Sequence, residues 1–243
     1  SYTAQPDVPT PTSGFKLPID IPGAPEFIDA NYLIEQVKQQ FMSGIAILQR
    51  KPGAYPQEIQ RGTWWRFWSY IAIIYVVVAL VSTITTVIAV SQLSSTMGEF
   101  AGIAGVDIPR PNIVNIILTF LLTIPMSIAA LYAGLYASHW YMTKQSGGQA
   151  SLMRHSYAIM LPIATVNIIS AAVGLVFGII PLLGLIGSLI TIGLFFYGLY
   201  IAADGIAMVH KAEGNSKYTA LVVMIVAQIA ASFVMSLILS PFI

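Results

Sequence analysis

The sequence predicts an all-α, polytopic membrane protein: five transmembrane helices, preceded by a cytoplasmic amphipathic helix and an extended, proline-rich tail. Charged residues make up 9% of the chain and hydrophobic residues 56%, whereas soluble domains carry about 25% charged residues. The segment from His155 to Ala203 contains no Asp, Glu, Lys or Arg. Because about 20 apolar residues cross a hydrocarbon core roughly 30 Å thick, this segment is long enough for two spans. Pro181, near its middle, predicts a tight turn between them.

The first predicted unit, residues 1–26, is an extended tail. Proline fixes its own φ angle and lacks a backbone donor, so a segment dense in proline forms neither a helix nor a central strand. The six prolines of this segment are Pro6, Pro9, Pro11, Pro18, Pro22 and Pro25.

The second unit, residues 27–60, is predicted to be a cytoplasmic amphipathic helix and a linker. Apolar residues recur every three or four positions between Tyr32 and Leu48, which is the period of a helix with one apolar face. The helix should end before Lys51-Pro52-Gly53. The opposite face is filled by Glu35, Gln36, Lys38, Gln39 and Gln40.

The third unit, residues 61–243, is the predicted membrane domain, with spans at about 64–90, 112–140, 155–177, 182–208 and 218–239. The first span begins at an aromatic and basic cluster, residues 64–68, which is typical of a membrane interface. Pro125 predicts a kink in the second span, and residues 93–111 are predicted to be a polar loop.

The distribution of basic residues predicts the orientation. Of the nine Lys and Arg residues from Arg50 onward, eight lie on the amino-terminal side of the five spans, and only Arg110 lies on the opposite side. By the positive-inside rule, the amino terminus is cytoplasmic and the carboxyl terminus is outside. The eight residues are Arg50, Lys51, Arg61, Arg66, Lys144, Arg154, Lys211 and Lys217.

Asp204 is the acidic residue that ends the uncharged segment. A carboxylate at membrane depth is costly and often functional, which would make Asp204 a proton or cation site. Its position at the cytoplasmic end of the fourth span instead favours an interface residue, capped by water, Lys211 or a neighbouring helix end.

The three histidines, His139, His155 and His210, fall at the cytoplasmic ends of the second, third and fourth spans. Three imidazoles at one level could bind a metal if all three helices were adjacent. No two of them share a helix with the spacing of a chelating pair, so no metal site is predicted.

Small residues in the third and fourth spans predict close helix packing without a ligand. They are Gly174, Gly178, Gly184, Gly187 and Ser188. Turn or hairpin positions are predicted at Gly147, Gly148, Pro162 and Pro181. Gly147-Gly148 lacks the Lys-Ser/Thr of a phosphate-binding loop. The sequence contains no recognisable catalytic set, so no enzyme and no cofactor are predicted.

Several of these segments resemble Yip1-domain proteins. The similar stretches are 146–152 with its Gly-Gly turn, 157–162 with its Tyr and Pro, the hairpin around Pro181, Tyr200, 210–212, and 57–59. The resemblance implies five spans and a cytoplasmic amino terminus, in a bacterial or archaeal plasma-membrane protein. Eukaryotic relatives bind Rab-type GTPases, but the Asp-Leu-Tyr-Gly-Pro motif of those relatives is missing here.

Three roles remain open at this point. The absence of catalytic groups and the extended tail favour a non-catalytic structural or accessory subunit, or scaffold, with residues 1–50 docking to other membrane-protein subunits. Asp204 and the prolines of the spans would favour a small-solute, ion or lipid transporter. The amphipathic helix and the resemblance favour a membrane-trafficking or membrane-shaping adaptor. The partners are the bilayer and other subunits; nucleic acid is not predicted, because no basic stripe is present.

Overall fold

The computed structural model describes residues 7–104, 113–145, 147–178 and 181–239, and all of its regular structure in these ranges is helical. One isolated antiparallel bridge joins Phe15 and Ile28. The helices are α1 (Ala30–Leu48), α2 (Ala54–Gln60), α3 (Trp64–Ala104), α4 (Ile113–Lys144), α5 (Leu152–Gly178), α6 (Pro181–His210) and α7 (Ser216–Leu239).

Among the described residues, four helices contain a segment long and apolar enough to cross a membrane. They contain the segments Trp64–Thr85, Leu152–Phe177, Leu183–His210 and Ser216–Leu237. These segments confirm a helical membrane protein, and two of them divide the uncharged segment as predicted. The predicted second span coincides with α4, which is not among the four, so the count of five spans stays a prediction.

Helix α3 is longer than predicted. The expected span ends near residue 90 and is followed by a polar loop, but α3 continues to Ala104. The sequence explains the difference, because no proline occurs between Trp64 and Pro109. Polar side chains alone do not stop a helix when no residue removes a backbone donor.

Helix α5 is the centre of the bundle. It packs most extensively against α6 and also against α3, whereas α4 packs mainly against α7. The bundle has a polar end, which consists of the first turns of α3, α5 and α7 and the last turns of α4 and α6. Much of the buried core lies toward this end, including Phe67, Tyr70, Leu135, Tyr157 and Ile206.

Residues 7–62, which we call the cap, cover the polar end. Helix α1 is capped at its amino terminus by Asp29, whose carboxylate accepts a hydrogen bond from the Tyr32 backbone N–H at 2.7 Å. It packs against α3, α5 and α6, and α2 packs against α5. Between the two helices, Arg50 adopts the left-handed conformation (φ 55°), which turns the chain sharply.

The buried face of α1 differs from the predicted one. The glutamines assigned to the outer face, Gln36, Gln39 and Gln40, are buried, whereas Ile34 and Met42 are exposed. The apolar positions Val37 and Phe41 are only partly buried. The surface that α1 covers is the polar end rather than an apolar helix face, and the glutamines find hydrogen-bond partners there.

The described part of the tail lies against its own chain. Phe15 and Ile28 exchange two backbone hydrogen bonds, and the Trp65 backbone N–H donates to the Pro22 carbonyl. Asp7 forms an ion pair with Arg61. Residues 7–28 are therefore held between the start of α1 and the start of α3.

Candidate functional site: the capped polar end

A buried ion pair joins the cap to α3. The Glu58 side chain on α2 is completely buried, and its Oε1 lies 2.6 Å from the Arg66 guanidinium, which is 11% exposed. The Tyr157 hydroxyl of α5 donates to the same oxygen at 2.7 Å. A buried carboxylate is tolerated only when it is paired and hydrogen-bonded, and here three helices supply its environment.

The buried glutamines of α1 extend this network. Gln40 donates through Nε2 to the Arg66 carbonyl at 2.9 Å and to the Tyr157 hydroxyl at 3.1 Å. Gln36 accepts a hydrogen bond from the Trp65 indole at 2.9 Å. Amide side chains both donate and accept, so one helix face satisfies several polar groups of α3 and α5.

A second attachment point depends on Pro162, a residue predicted to mark a turn. Pro162 lies inside α5 instead. It has no N–H, so the carbonyl of Ala158, four residues earlier, receives no helical hydrogen bond at that position. The Tyr55 hydroxyl of α2 donates to this carbonyl at 2.6 Å. Burial raises the pKa of Tyr55 well above its ordinary value, which keeps the hydroxyl a donor.

Gly205 of α6 makes room for Tyr55. A Cβ at this position would overlap the Tyr55 hydroxyl and lie 3.1 Å from the Ala158 carbonyl oxygen. The helix interior therefore needs glycine at this point, despite its cost in backbone entropy. The Tyr55 side chain of α2 therefore fits against the carbonyl that Pro162 leaves free on α5 and against Gly205 of α6. We call this three-helix contact the socket.

Asp204, the predicted interface carboxylate, links the cap to two helices. Its carboxylate contacts Arg50 at 2.6 Å and Lys217 at 3.0 Å, and its side chain is 31% exposed. The hydrogen bond to Asp204 raises the pKa of the exposed Arg50 guanidinium. The guanidinium also lies over the Tyr200 ring. The two cations are Arg50 and Lys217, rather than Lys211.

The three histidines meet at the polar end. His139 on α4, His155 on α5 and His210 on α6 each offer a ring nitrogen, and these atoms lie within 4.8 Å of one another. His155 and His210 are buried, and His139 is partly buried. The three helices are adjacent at this level, which was the condition that the sequence left open.

The Gly147-Gly148 turn lies beside this cluster. Gly147 has a positive φ of 68°, and Gly148 donates its backbone N–H to the Met142 carbonyl at 2.9 Å. A Cβ at Gly148 would overlap the His210 imidazole. The turn therefore packs directly against the His210 ring, and a residue with a side chain would not fit at position 148.

The other small residues predicted to pack closely differ in how near a neighbouring helix lies. A Cβ at Gly187 would lie 2.7 Å from the Phe177 side chain, so two helices approach closely there. A Cβ at Gly174 would have no neighbour within 4 Å, and a Cβ at Gly184 would make one ordinary contact. Ser188 is exposed and donates to the Gly184 carbonyl within α6. Gly178 ends α5 and Pro181 begins α6, as the predicted turn requires.

Sequence reasoning did not identify Glu58, Tyr55 or Gly205 as site residues. Glu58 and Tyr55 each have a partner on α5, about a hundred positions away along the chain. A local signal existed only for Pro162, because a proline in a long apolar helix leaves a carbonyl that needs another donor.

One comparison with known proteins gives a match. A protein-family model described as the Yip1 domain matches residues 45–238, which is more than half of the chain. The match confirms the resemblance that the sequence motifs carry. No curated protein and no solved structure matches the chain.

Proposed function

The chain belongs to the Yip1 domain family, and we propose that it is a non-catalytic structural or accessory subunit, or scaffold, of a larger membrane complex. The observation that carries this proposal is the cap. Residues 7–62 are fixed on the polar end through Glu58, Tyr55 and Arg50, so the buried polar groups hold the cap instead of facing a substrate.

The charged groups at the polar end support a structural role. Glu58 is neutralised by Arg66, and Asp204 by Arg50 and Lys217. A cavity beside Arg50, Tyr55 and Asp204 has a volume of about 220 Å³. Small-molecule sites are usually about 300–1,000 Å³, so this cavity is small for a substrate site.

The outer surface of the cap is the part that would meet a partner. Four large apolar side chains are exposed there, each 47–65% accessible, although this segment contains none of the four span candidates. Exposed apolar groups outside the spans favour docking to a protein or to the lipid headgroup layer. They are Phe15, Ile19, Ile34 and Met42.

The proposed location is the plasma membrane, with the cap in the cytoplasm. Arg50, Arg61 and Arg66 pair with acidic residues at the polar end. Lys144 ends α4, and Arg154 lies in the first turn of α5. This concentration of basic residues at one end of the bundle supports a cytoplasmic polar end.

The transporter alternative depends on Asp204. Its two cationic partners and its position at the end of α6 favour a linking role over an ion site within the bilayer. The adaptor alternative depends on α1 contacting lipid, and the exposed Ile34 and Met42 keep that alternative testable.

Photo-crosslinking in native membranes separates these roles. A benzophenone amino acid replaces Ile34 on the cap, and the control replaces Val226, which is 61% exposed on the apolar helix α7. We expect one discrete protein adduct from position 34 and lipid adducts alone from position 226. Lipid adducts alone from both positions would contradict the subunit role and favour the adaptor.

A further inference from the structure

We propose that His139, His155 and His210 form a binding site for a divalent transition metal, most closely matched to Zn²⁺, that ties α4 to α5 and α6 at the polar end. This site is independent of the proposed subunit role, since it involves no residue of the cap.

The donor set fits such an ion. Neutral imidazole is a preferred ligand of Zn²⁺ and related metals, and three imidazoles with one open position form a recurrent Zn²⁺ arrangement. The ring centroids of the three histidines are 5.0–5.8 Å apart, and no two rings are stacked in parallel. Three ring nitrogens within 4.8 Å therefore converge on one point from three helices.

The distances need an adjustment that is small for one pair of histidines and larger for His139. His155 Nδ1 and His210 Nε2 lie 2.9 Å apart. Two nitrogens bound to one Zn²⁺ at about 2.0–2.1 Å, in tetrahedral geometry, are separated by roughly 3.3 Å. A shift of a few tenths of an ångström would bring His155 and His210 to this separation. The ligand nitrogen of His139 lies within 4.8 Å of the other two, so it would move by up to about 1.5 Å, which side-chain rotation can supply.

Ser138 supplies the orientation that a ligating histidine requires. His155 Nε2 lies 3.1 Å from the Ser138 hydroxyl, which is completely buried on α4. When Nε2–H donates to this hydroxyl, Nδ1 carries the lone pair and faces His210. Metal-bound histidines are usually fixed in this way, by a hydrogen bond on the nitrogen that does not bind.

An unpartnered nitrogen of His139 points to a missing ligand. Nδ1 of His139 is buried and has no hydrogen-bond partner among the described residues. Nδ1 of His210 is also unpartnered, but it lies beside Gly148 while Nε2 faces His155, so an ion at Nε2 would not contact it. An unpartnered buried polar atom is costly. A bound cation would satisfy a lone pair of His139, and would also remove the need for His155 and His210 to share one proton.

The position of the site gives the ion a structural task. Helix α4 packs mainly against α7 and makes fewer contacts with α5. An ion held by His139 on one side and by His155 and His210 on the other would join the α4–α7 pair to the rest of the bundle. The Gly148 turn covers His210 and limits access of water.

The first test uses the full chain, purified with a tag that contains no histidine, because the chain has three histidines in all. After treatment with a chelator, Co²⁺ is added as a spectroscopic probe and Zn²⁺ as the competitor. We expect one ion per chain, visible absorption typical of low-coordinate Co²⁺, loss of that absorption on adding Zn²⁺, and a higher melting temperature with Zn²⁺. Wild-type protein that shows neither the absorption nor a melting shift would overturn the proposal.

Variants then assign the ligands. His155→Gln and His210→Gln should abolish stoichiometric binding and the melting shift, and Ser138→Ala should weaken binding by about 10–100-fold. The control is Ser236→Ala, an exposed serine on α7, which should bind like the wild type. Undiminished binding by His155→Gln would overturn the site. If the histidine variants do not fold, the Co²⁺ spectrum and stoichiometry of the wild type decide the question.

Discussion

At the residue scale, Glu58 and Tyr55 carry the attachment of the cap. Glu58 supplies a completely buried carboxylate, and its Oε1 is bound by both Arg66 and Tyr157. Tyr55 supplies the donor that Pro162 removes from α5. Both residues lie on α2, a helix of only 7 residues that is too short to be stable by itself. The stability of α2 therefore depends on these tertiary contacts.

Glu58→Gln should strongly destabilise the protein. The change leaves the Arg66 guanidinium, 11% exposed, without its counter-charge. Removal of one partner of a buried pair typically costs about 3–5 kcal/mol. The measurement is thermal or denaturant unfolding of the purified protein in detergent.

The matched control for Glu58→Gln is Glu26→Gln, which breaks the exposed pair between Lys16 and Glu26, where both side chains are about two-thirds accessible. Its expected effect is within about 0.5 kcal/mol of zero. Equal effects of the two variants would show that Glu58 does not hold the cap.

Tyr55 and Pro162 should be energetically coupled. Tyr55→Phe leaves the Ala158 carbonyl without its donor and should cost about 1–3 kcal/mol. In a Pro162→Ala background, residue 162 regains an N–H that can bond the same carbonyl within α5. The Tyr55→Phe change should then cost less than about 0.5 kcal/mol, which a double-mutant cycle measures. An equal cost in both backgrounds would reject this explanation of the socket.

At the element scale, α1 buries Gln36, Gln39 and Gln40, which its sequence pattern places outside, whereas Glu35 and Lys38 of the same predicted face are exposed. Helical periodicity identifies which residues share a face, but the environment decides which face is buried. The polar end offers the Arg66 carbonyl, the Tyr157 hydroxyl and the Trp65 indole, so burial of Gln36 and Gln40 satisfies more polar groups than burial of leucines would.

Gly44→Ala tests how α1 docks on α5. A Cβ at Gly44 would overlap the Thr165 hydroxyl, which is buried and bonded to the Tyr70 hydroxyl at 2.9 Å. Such overpacking should cost about 1–3 kcal/mol and increase hydrogen exchange across α1. The control Gly174→Ala lies on α5 with no neighbour within 4 Å, and should be neutral or stabilising by up to about 1 kcal/mol. Hydrogen exchange across α1 that is unchanged in Gly44→Ala would show that α1 does not dock on α5 through Gly44.

At the scale of the whole molecule, the sequence predicts the long helices well and the site poorly. Apolar length is a local property, so α5, α6 and α7 begin and end close to the predicted positions. The contacts of Glu58 and Tyr55 with α5, and the meeting of three histidines, depend on which helices are neighbours. Neighbour choice is set by packing of the entire chain, and no local motif encodes it.

The orientation of the molecule can be tested with single cysteines, because the chain contains none. Glu213→Cys lies in the loop between α6 and α7 at the polar end, and Asp107→Cys falls in the sequence between Ala104 and Ile113. In intact cells, a membrane-impermeant maleimide should label position 107 and not position 213. Labelling at 213 alone would reverse the proposed orientation.

The most direct test of the subunit role is the native mass of the protein after gentle extraction from its own membrane. We expect a defined particle that contains this chain together with at least one different protein. That protein should be lost when Ile34 and Met42, exposed on the cap, are both replaced by Asp. A homogeneous single chain that keeps its cap protected from proteolysis would contradict the subunit role.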